Sequence, residues 1–209
     1  MGVEQLQTLS DYIAAAQAPA ILKQEIALGE LAFTVRRESL HGFIAFLKTD
    51  KKCDFQQLCN VCGADYPARG AERFDVVYNL LSLKFNLRVR VKVMTAENMP
   101  VDTVTDLYSS AGWFEREVWD LYGVVFAGHP DLRRILTDYG FEGHPLRKDF
   151  PLTGFVELRY DAAQKRIVYE PVKLTQDYRN FDFISPWEGM TTMQLPGDEK
   201  ARKPKVGAK

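Results

Sequence analysis

Phe85-Asn86-Leu87-Arg88-Val89-Arg90-Val91-Lys92-Val93-Met94 is the stretch on which the fold turns. Phe85, Leu87, Val89, Val91 and Val93 alternate with Asn86, Arg88, Arg90 and Lys92. A period of two sends the two sets to opposite sides of a strand, so this strand has one buried face and one wet, basic face. Just upstream, Glu72-Arg73-Phe74-Asp75-Val76-Val77-Tyr78-Asn79-Leu80-Leu81-Ser82 reads as a second strand. Only Leu83 and Lys84 separate the two, which predicts an antiparallel hairpin. Residues 55–66 form another strand candidate, and 24–28 and 31–36 are short ones around Gly29-Glu30.

Helical periodicity surrounds these strands. Residues 3–16 place Leu6, Leu9, Tyr12 and Ile13 on one side. Ser39 suits the N-cap of a helix carrying Leu40, Phe43, Ile44 and Leu47 at i, i+3, i+4 and i+7, with Lys48 in its last turn. Pro100-Val101-Asp102 is expected to open a helix with Val104, Leu107, Tyr108 and Ala111 inward, broken at Gly112. A further helix runs from about Trp113 to Tyr122, with Gly123 a good C′ residue, before a short strand at 124–126. Strands and helices come in runs rather than strict alternation. That predicts an α+β fold, a mixed and largely antiparallel sheet with helices packed on one face, followed by a long extended C-terminal tail.

The texture changes after residue 126. Residues 127–209 hold seven of the ten prolines and seven of the fourteen glycines, and no regular period runs through them. We therefore expect a globular domain over 1–126 and an extended partner-binding segment over 127–199. That segment carries a short hairpin near 155–172, with strands at 155–160 and 166–171. Residues 200–209 are basic and small, and are expected to be disordered.

Bulk properties narrow the function. A compact chain of 209 residues buries about 70% of its unfolded surface, enough for a real core. The formal net charge is −1, which lacks the basic excess of a nucleic-acid binder. Met1-Gly2-Val3-Glu4-Gln5-Leu6 has neither a secretory signal's basic and apolar regions nor an Arg-rich transit character, and Leu6 stands where a myristoylation motif wants Ser or Thr. No apolar run approaches the roughly 20 residues needed to span a bilayer. The expectation is a soluble chain, or one held at a membrane through another protein.

The candidate chemistry is thin. Cys53, Cys59 and Cys62 invite a metal, but a tetrahedral zinc or an iron–sulfur cluster wants four ligands and there is no fourth cysteine. His41 lies on a separate helix, and an odd separation within a strand would point Cys59 and Cys62 to opposite faces. The cysteines read instead as small buried residues of a reducing compartment. His129 and His144 each stand in Gly-His-Pro, where the proline enforces an extended or turn backbone, so a corner outweighs a ligand. A metal-dependent enzyme built on Cys59, Cys62, His129 and His144 is the distant alternative. No GxGxxG, P-loop, GxSxG or HExxH pattern occurs. Glu115, Arg116, Glu117 and Asp120 share a short helix with Trp113, Phe114, Trp119 and Tyr122, a mixture that resembles the core of an interface.

Residues 115–136 read Glu-Arg-Glu-x-Trp-Asp-x-Tyr-Gly-x-x-Phe-x-x-His-Pro-Asp-Leu-Arg-Arg-Ile-Leu. This pattern resembles the signature of the 30 kDa subunit family of respiratory complex I, NADH:quinone oxidoreductase, in which it is also called the C subunit. The likeness continues from Thr137 through Gly143-His144-Pro145-Leu146-Arg147-Lys148-Asp149-Phe150-Pro151. It also takes in Tyr66-Pro67, Arg73-Phe74, Tyr78-Asn79-Leu80-Leu81-Ser82 and Phe181-Asp182-Phe183-Ile184-Ser185-Pro186-Trp187-Glu188-Gly189, covering most of 30–190. The corresponding subunit of a membrane-bound hydrogenase or a plastoquinone-reducing complex is the nearer alternative.

The resemblance implies a hydrophilic, non-catalytic subunit of the peripheral arm of a proton-translocating NADH:quinone oxidoreductase. It would hold no cofactor and no quinone site of its own, with FMN and the iron–sulfur clusters in partner subunits. It would pack against the quinone-site subunit, bind no nucleic acid, and reach the membrane only through the complex, on the cytoplasmic side of a bacterial inner membrane. The residues expected at its interfaces are Glu115, Arg116, Glu117, Trp119, Asp120, His129, Pro130, Arg133, Arg134, His144, Arg147 and Trp187. No residue is expected to be catalytic or to bind metal.

Overall fold

A computed structural model describes residues 3–176 of the chain. The expected interface residue Trp187, the end of the tail and the basic segment 200–209 lie outside the described residues. The chain divides into two compact units between Phe155 and Val156. The first contains α1 (Val3–Ala16), β1 (Ile21–Ala27), β2 (Glu30–Val35), α2 (Leu40–Thr49), β3 (Gln57–Asp65), β4 (Phe74–Ser82), β5 (Leu87–Thr95), β6 (Val101–Asp102), α3 (Ala111–Tyr122) and β7 (Phe126–Ala127). The second contains β8 (Val156–Asp161) and β9 (Arg166–Pro171).

The main sheet has the order β1-β2-β5-β4-β3. Only the β2–β5 pair is parallel. The register explains the core. Phe33, Val91, Tyr78 and Val61 form one row across four strands, and Leu31, Val89, Leu80 and Leu58 form the next. All eight are buried, together with Leu6, Leu9 and Ile13 of α1 and Leu40, Phe43, Ile44 and Leu47 of α2. Fully burying side chains of this size contributes about 1.5–3 kcal/mol each. Phe43 meets Phe33 edge-on at 5.7 Å between ring centroids, which fixes α2 against the middle of the sheet. The opposite face is polar. Arg90 pairs with Glu30 at 2.8 Å and donates to Asn79, which donates to Asn60. The alternation in β5 thus separates a dry face from a wet one, as its sequence predicts.

Four local expectations are corrected. Phe85 is 41% exposed because it belongs to the β4–β5 turn, where Asn86 takes a positive φ. Ser39 makes no side-chain cap, since a 3-10 turn at Arg37–Ser39 runs directly into α2. Residues 100–110 form no helix. Val101 and Asp102 pair in parallel with Phe126 and Ala127, and a single turn follows, closed by the amides of Leu107 and Tyr108 on Val104 O. Val104 and Tyr108 are buried as expected, but the β-branched Thr103 and Thr105 spend their hydroxyls on local bonds that compete with a helix. Finally, a register shift between Leu58 and Asn60 leaves Cys59 out of the β3–β4 pairing, and Cys59 and Cys62 are both exposed rather than the small buried residues expected, while Cys53 is buried.

The first unit also runs further than the periodic sequence, to Phe155 rather than 126. Residues 127–155 have almost no regular structure, and side-chain bonds take the place of a ladder in attaching them.

Candidate functional site

α3 organises the region. Its buried positions include Ala111, Val118 and three charged residues, Glu115, Arg116 and Asp120. Gly123 ends it with φ +82°, and its amide returns to Trp119 O at 2.8 Å. A Cβ there would lie within 2.6 Å of the His144 ring, so both the backbone conformation and the space call for glycine. The last four carbonyls of a helix lack partners of their own. Here every one is satisfied. Trp119 O takes the Gly123 amide, Asp120 O faces His144 Nδ1 at 2.9 Å, Leu121 O takes the Leu146 amide at 3.1 Å, and Tyr122 O takes Arg147 Nε at 2.6 Å. The Arg147 cation also suits the negative end of the helix dipole, and it reaches on to Glu97.

Asp120 makes the densest contact. Its Oδ2 accepts the amides of Ile135, Leu136 and Thr137 at 3.0, 2.8 and 2.9 Å. Its Oδ1 accepts Arg134 Nη1 at 2.8 Å and the Thr137 hydroxyl at 2.6 Å. Burial alone would raise the pKa of this carboxyl. The bonds from Thr137, Ile135 and Leu136 outweigh burial and hold it well below the usual carboxylate range. Arg116, one turn earlier, donates to the carbonyls of Arg133 and Arg134. Arg134 also donates to Gly143 O at 3.1 Å and lies over the rings of Trp119 and Phe141.

The two Gly-His-Pro corners clip the two ends of the helix. His129 Nδ1 accepts the Asp131 amide at 3.0 Å, so its Nε2 carries the proton and donates to Gly112 O at 3.1 Å. His144 holds the far end, and burial lowers its pKa. Beyond it, Arg73 binds Asp65 and Asp149 together, and the Lys148 amide donates to Asp65 at 2.7 Å. Arg73 lowers the pKa of both carboxyls. This pins the second corner to the edge of β3 and β4.

The charged motif is therefore an intramolecular clasp. Glu115, Arg116, Asp120, His129, Arg134, His144 and Arg147 all bond within the chain, Trp119 packs on His144 and Arg134, and the exposed Arg133 pairs with Asp131 at 2.8 Å. Glu117 has no ion pair among the described residues, and Pro130 is an exposed corner residue. Sequence reasoning missed Thr137, Asp65, Arg73 and Glu97 as members. Arg73 and Thr137 stand within the motif likeness, which was the available signal, while Asp65 and Glu97 carry none.

With the charges turned inward, apolar groups face out. Trp113, Leu136, Tyr139, Leu146, Leu152 and Phe155 of the first unit are 48–98% exposed. In the second unit β8 and β9 pair so that Val156, Leu158 and Tyr160 stand opposite Pro171, Tyr169 and Ile167. Val156, Leu158, Tyr160, Ile167 and Tyr169 are each 56–64% exposed. The other face of the hairpin carries Glu157, Arg159, Asp161, Arg166 and Glu170, with Arg159 and Glu170 paired at 2.9 Å.

Among the described residues no three His, Cys, Asp or Glu side chains gather as a metal set, and no helix is long and apolar enough to cross a membrane. A groove of about 490 Å³ beside β2 and β5 is lined by Glu30, Asn60, Asn79 and Arg90, whose polar groups are already tied to one another.

Comparison with known proteins bears on the same region. The family model of the respiratory-chain NADH dehydrogenase 30 kDa subunit matches residues 33–156. The C subunit of NADH-quinone oxidoreductase from Paramagnetospirillum magneticum is 63% identical, over 94% of this chain and 98% of its own. That of Sinorhizobium medicae is 59% identical, over 95% and 98%. A solved structure described as the trypsin-resistant fragment (1-134) of Nqo5 is 36% identical with a TM-score of 0.52, covering 61% of this chain and 99% of that one. A chain of a membrane-bound sulfane sulfur reductase, an archaeal respiratory membrane complex, shares the fold at 24% identity with a TM-score of 0.60, covering 70% of this chain and 85% of that one.

Proposed function

The chain belongs to the 30 kDa subunit family of the respiratory-chain NADH dehydrogenase, the C subunit of NADH-quinone oxidoreductase, and from that premise we propose that it is a non-catalytic interaction subunit of the enzyme's peripheral arm. The β8–β9 hairpin carries this reading. A two-stranded hairpin alone is marginal in water. This one turns a row of Val156, Leu158, Tyr160, Ile167 and Tyr169 outward, opposite a charged face. An apolar face of this kind, rimmed by polar residues, marks a protein–protein contact. The outward Leu136, Tyr139 and Leu152 of the first unit support the same role.

The clasp explains how an irregular segment can serve as a docking surface. Its backbone is held from inside by Asp120, Arg116 and Arg147, so its outer side chains are presented in fixed positions before any partner arrives. The partner of first choice is the subunit that forms the quinone site, and the chain acts by supporting it and the electron-transfer chain from NADH. FMN and iron–sulfur clusters then belong to partners, and contact with the cytoplasmic face of a bacterial inner membrane is made only through the complex. The solved Nqo5 structure is of a trypsin-resistant fragment (1-134), which fits this scheme.

Affinity purification of the full tagged chain from detergent-solubilised membranes tests the reading. The expected result is co-purification with NADH:quinone reductase activity that requires detergent extraction, and a separated subunit free of flavin and of stoichiometric iron or zinc. A chain recovered alone from the soluble fraction, or one carrying stoichiometric metal lost on Cys59→Ser, would refute it.

A further inference from the structure

Glu115 touches none of the groups gathered at Asp120, yet it is completely buried. Its Oε1 accepts the Val104 amide at 2.9 Å, and its Oε2 lies 2.5 Å from Thr103 Oγ1. Thr103 Oγ1 lies 3.1 Å from Thr105 Oγ1 and accepts the Thr105 amide. No cation pairs with Glu115 among the described residues. The groups that face it are Asp106 on the turn, itself paired with His41 of α2 at 2.8 Å, and Tyr78 of β4, which also senses Asp102 of β6. Arg116, its neighbour on α3, is turned away to the carbonyls of Arg133 and Arg134. The Tyr78 hydroxyl has no hydrogen-bond partner among the described residues.

The Thr103 hydroxyl has one proton and two acceptors within reach. With Glu115 ionised, that proton points to the carboxylate. With Glu115 neutral, the carboxyl donates its own proton to Thr103 Oγ1, and Thr103 turns its proton to Thr105 Oγ1. Both carboxyl oxygens and the Thr103 hydroxyl stay bonded in both states without moving a heavy atom. Only the ionised state leaves an uncompensated charge in the core. We propose that Glu115, Thr103 and Thr105 form a proton-operated latch between α3 and the turn after β6, tight when Glu115 is a neutral acid and loosened when its proton leaves to solvent.

Burial sets the range over which this happens. It pushes the Glu115 carboxyl up from 4.5 to about 7, against the bonds from Thr103 and Val104 and with help from Asp106. The folded value exceeds the unfolded one, so the stabilisation is complete below about 4.5 and is lost as pH rises through about 7. Within that window the folding equilibrium constant falls by up to roughly tenfold per pH unit. α3 carries the clasp, so the latch couples the docking segment to pH near neutrality.

Urea unfolding of the full chain from pH 5 to pH 8, with Glu115→Gln and Thr105→Val beside the unsubstituted protein, tests the latch. Gln keeps the shape and both bonds but does not titrate. The ratio of the folding equilibrium constant of the unsubstituted protein to that of E115Q is expected to fall by at least roughly tenfold across this range. Parallel curves would overturn the proposal. T105V removes the outer acceptor and leaves the Thr103 proton without a partner only in the neutral state, so its step is expected at lower pH. Should E115Q fail to fold, T105V decides, and a step at an unchanged pH would overturn the latch.

Discussion

Replacing Asp120 by alanine is expected to release residues 133–147 from α3 while leaving the sheet folded. Three amides, one hydroxyl and one guanidinium converge on this carboxylate, which has no exposed side-chain surface. Removing one partner of such a pair costs about 3–5 kcal/mol, because the remaining groups are left unpaired. The loss falls locally. The segment has no strand or helix of its own and can detach before the core unfolds, which limits the effect on global melting. Amide hydrogen exchange in the full chain reads this directly. The amides of Ile135, Leu136 and Thr137 are expected to lose protection by roughly two to three orders of magnitude, with those of β4 and β5 little changed. Unchanged protection at 135–137 would show that the carboxylate does not hold the segment. Asp120→Asn should fall between the two, because one oxygen can still take the amides while its NH₂ meets the Arg134 cation.

Replacing Leu158 and Tyr169 together by threonine is expected to abolish stable assembly without unfolding the subunit. The two side chains stand directly opposite each other and are 56% and 61% exposed. Threonine supplies a β-branched side chain and a favourable cross-strand pair, so the hairpin survives. What disappears is the apolar surface offered to a partner. Large apolar anchors at the centre of an interface are worth about 2 kcal/mol or more each, so losing two weakens assembly by roughly a thousandfold. Gradient sedimentation of solubilised membranes should show the double variant separated from NADH:quinone reductase activity, with the melting of the first unit unchanged. Intact assembly at wild-type levels would remove the hairpin from the interface.

Much of this molecule is legible in its sequence where one physical signal dominates. The alternation from Leu87 to Val93 identifies the central strand, and the i, i+3, i+4, i+7 set of Leu40, Phe43, Ile44 and Leu47 identifies α2. Gly123 marks the end of α3 because only a left-handed residue closes it there. Errors arise where signals compete. Val104, Leu107, Tyr108 and Ala111 have helical spacing, and three of them are buried, but Thr103, Thr105 and Glu115 take the local backbone into turn bonds instead. The irregularity after Leu58 is invisible in a pattern that assumes a strict period, and it brings Cys59 and Cys62 out together.

The charged motif shows the same limit at longer range. Its mixture of acids, arginines and aromatics suggests a surface completed by another protein. The structure pairs Arg134 with Asp120 and Arg147 with the end of α3, fourteen and twenty-five positions away along an irregular path. No periodicity reports such pairings. The glycines and prolines that make the path irregular also make the pairings possible. The proposed function rests on a division of labour, with the charges holding the segment from within and the large apolar groups left exposed for a partner.

Limited trypsin digestion of the full chain, alone and within the purified complex, tests this division most directly. Arg159, Lys165, Arg166 and Lys173 supply cleavage sites in and beside the hairpin. The account predicts early cleavage at these positions in the free subunit, a first unit that resists, and protection of the same sites in the complex. A hairpin as resistant as the first unit when the chain is alone, or cut as fast inside the complex as outside it, would contradict the account.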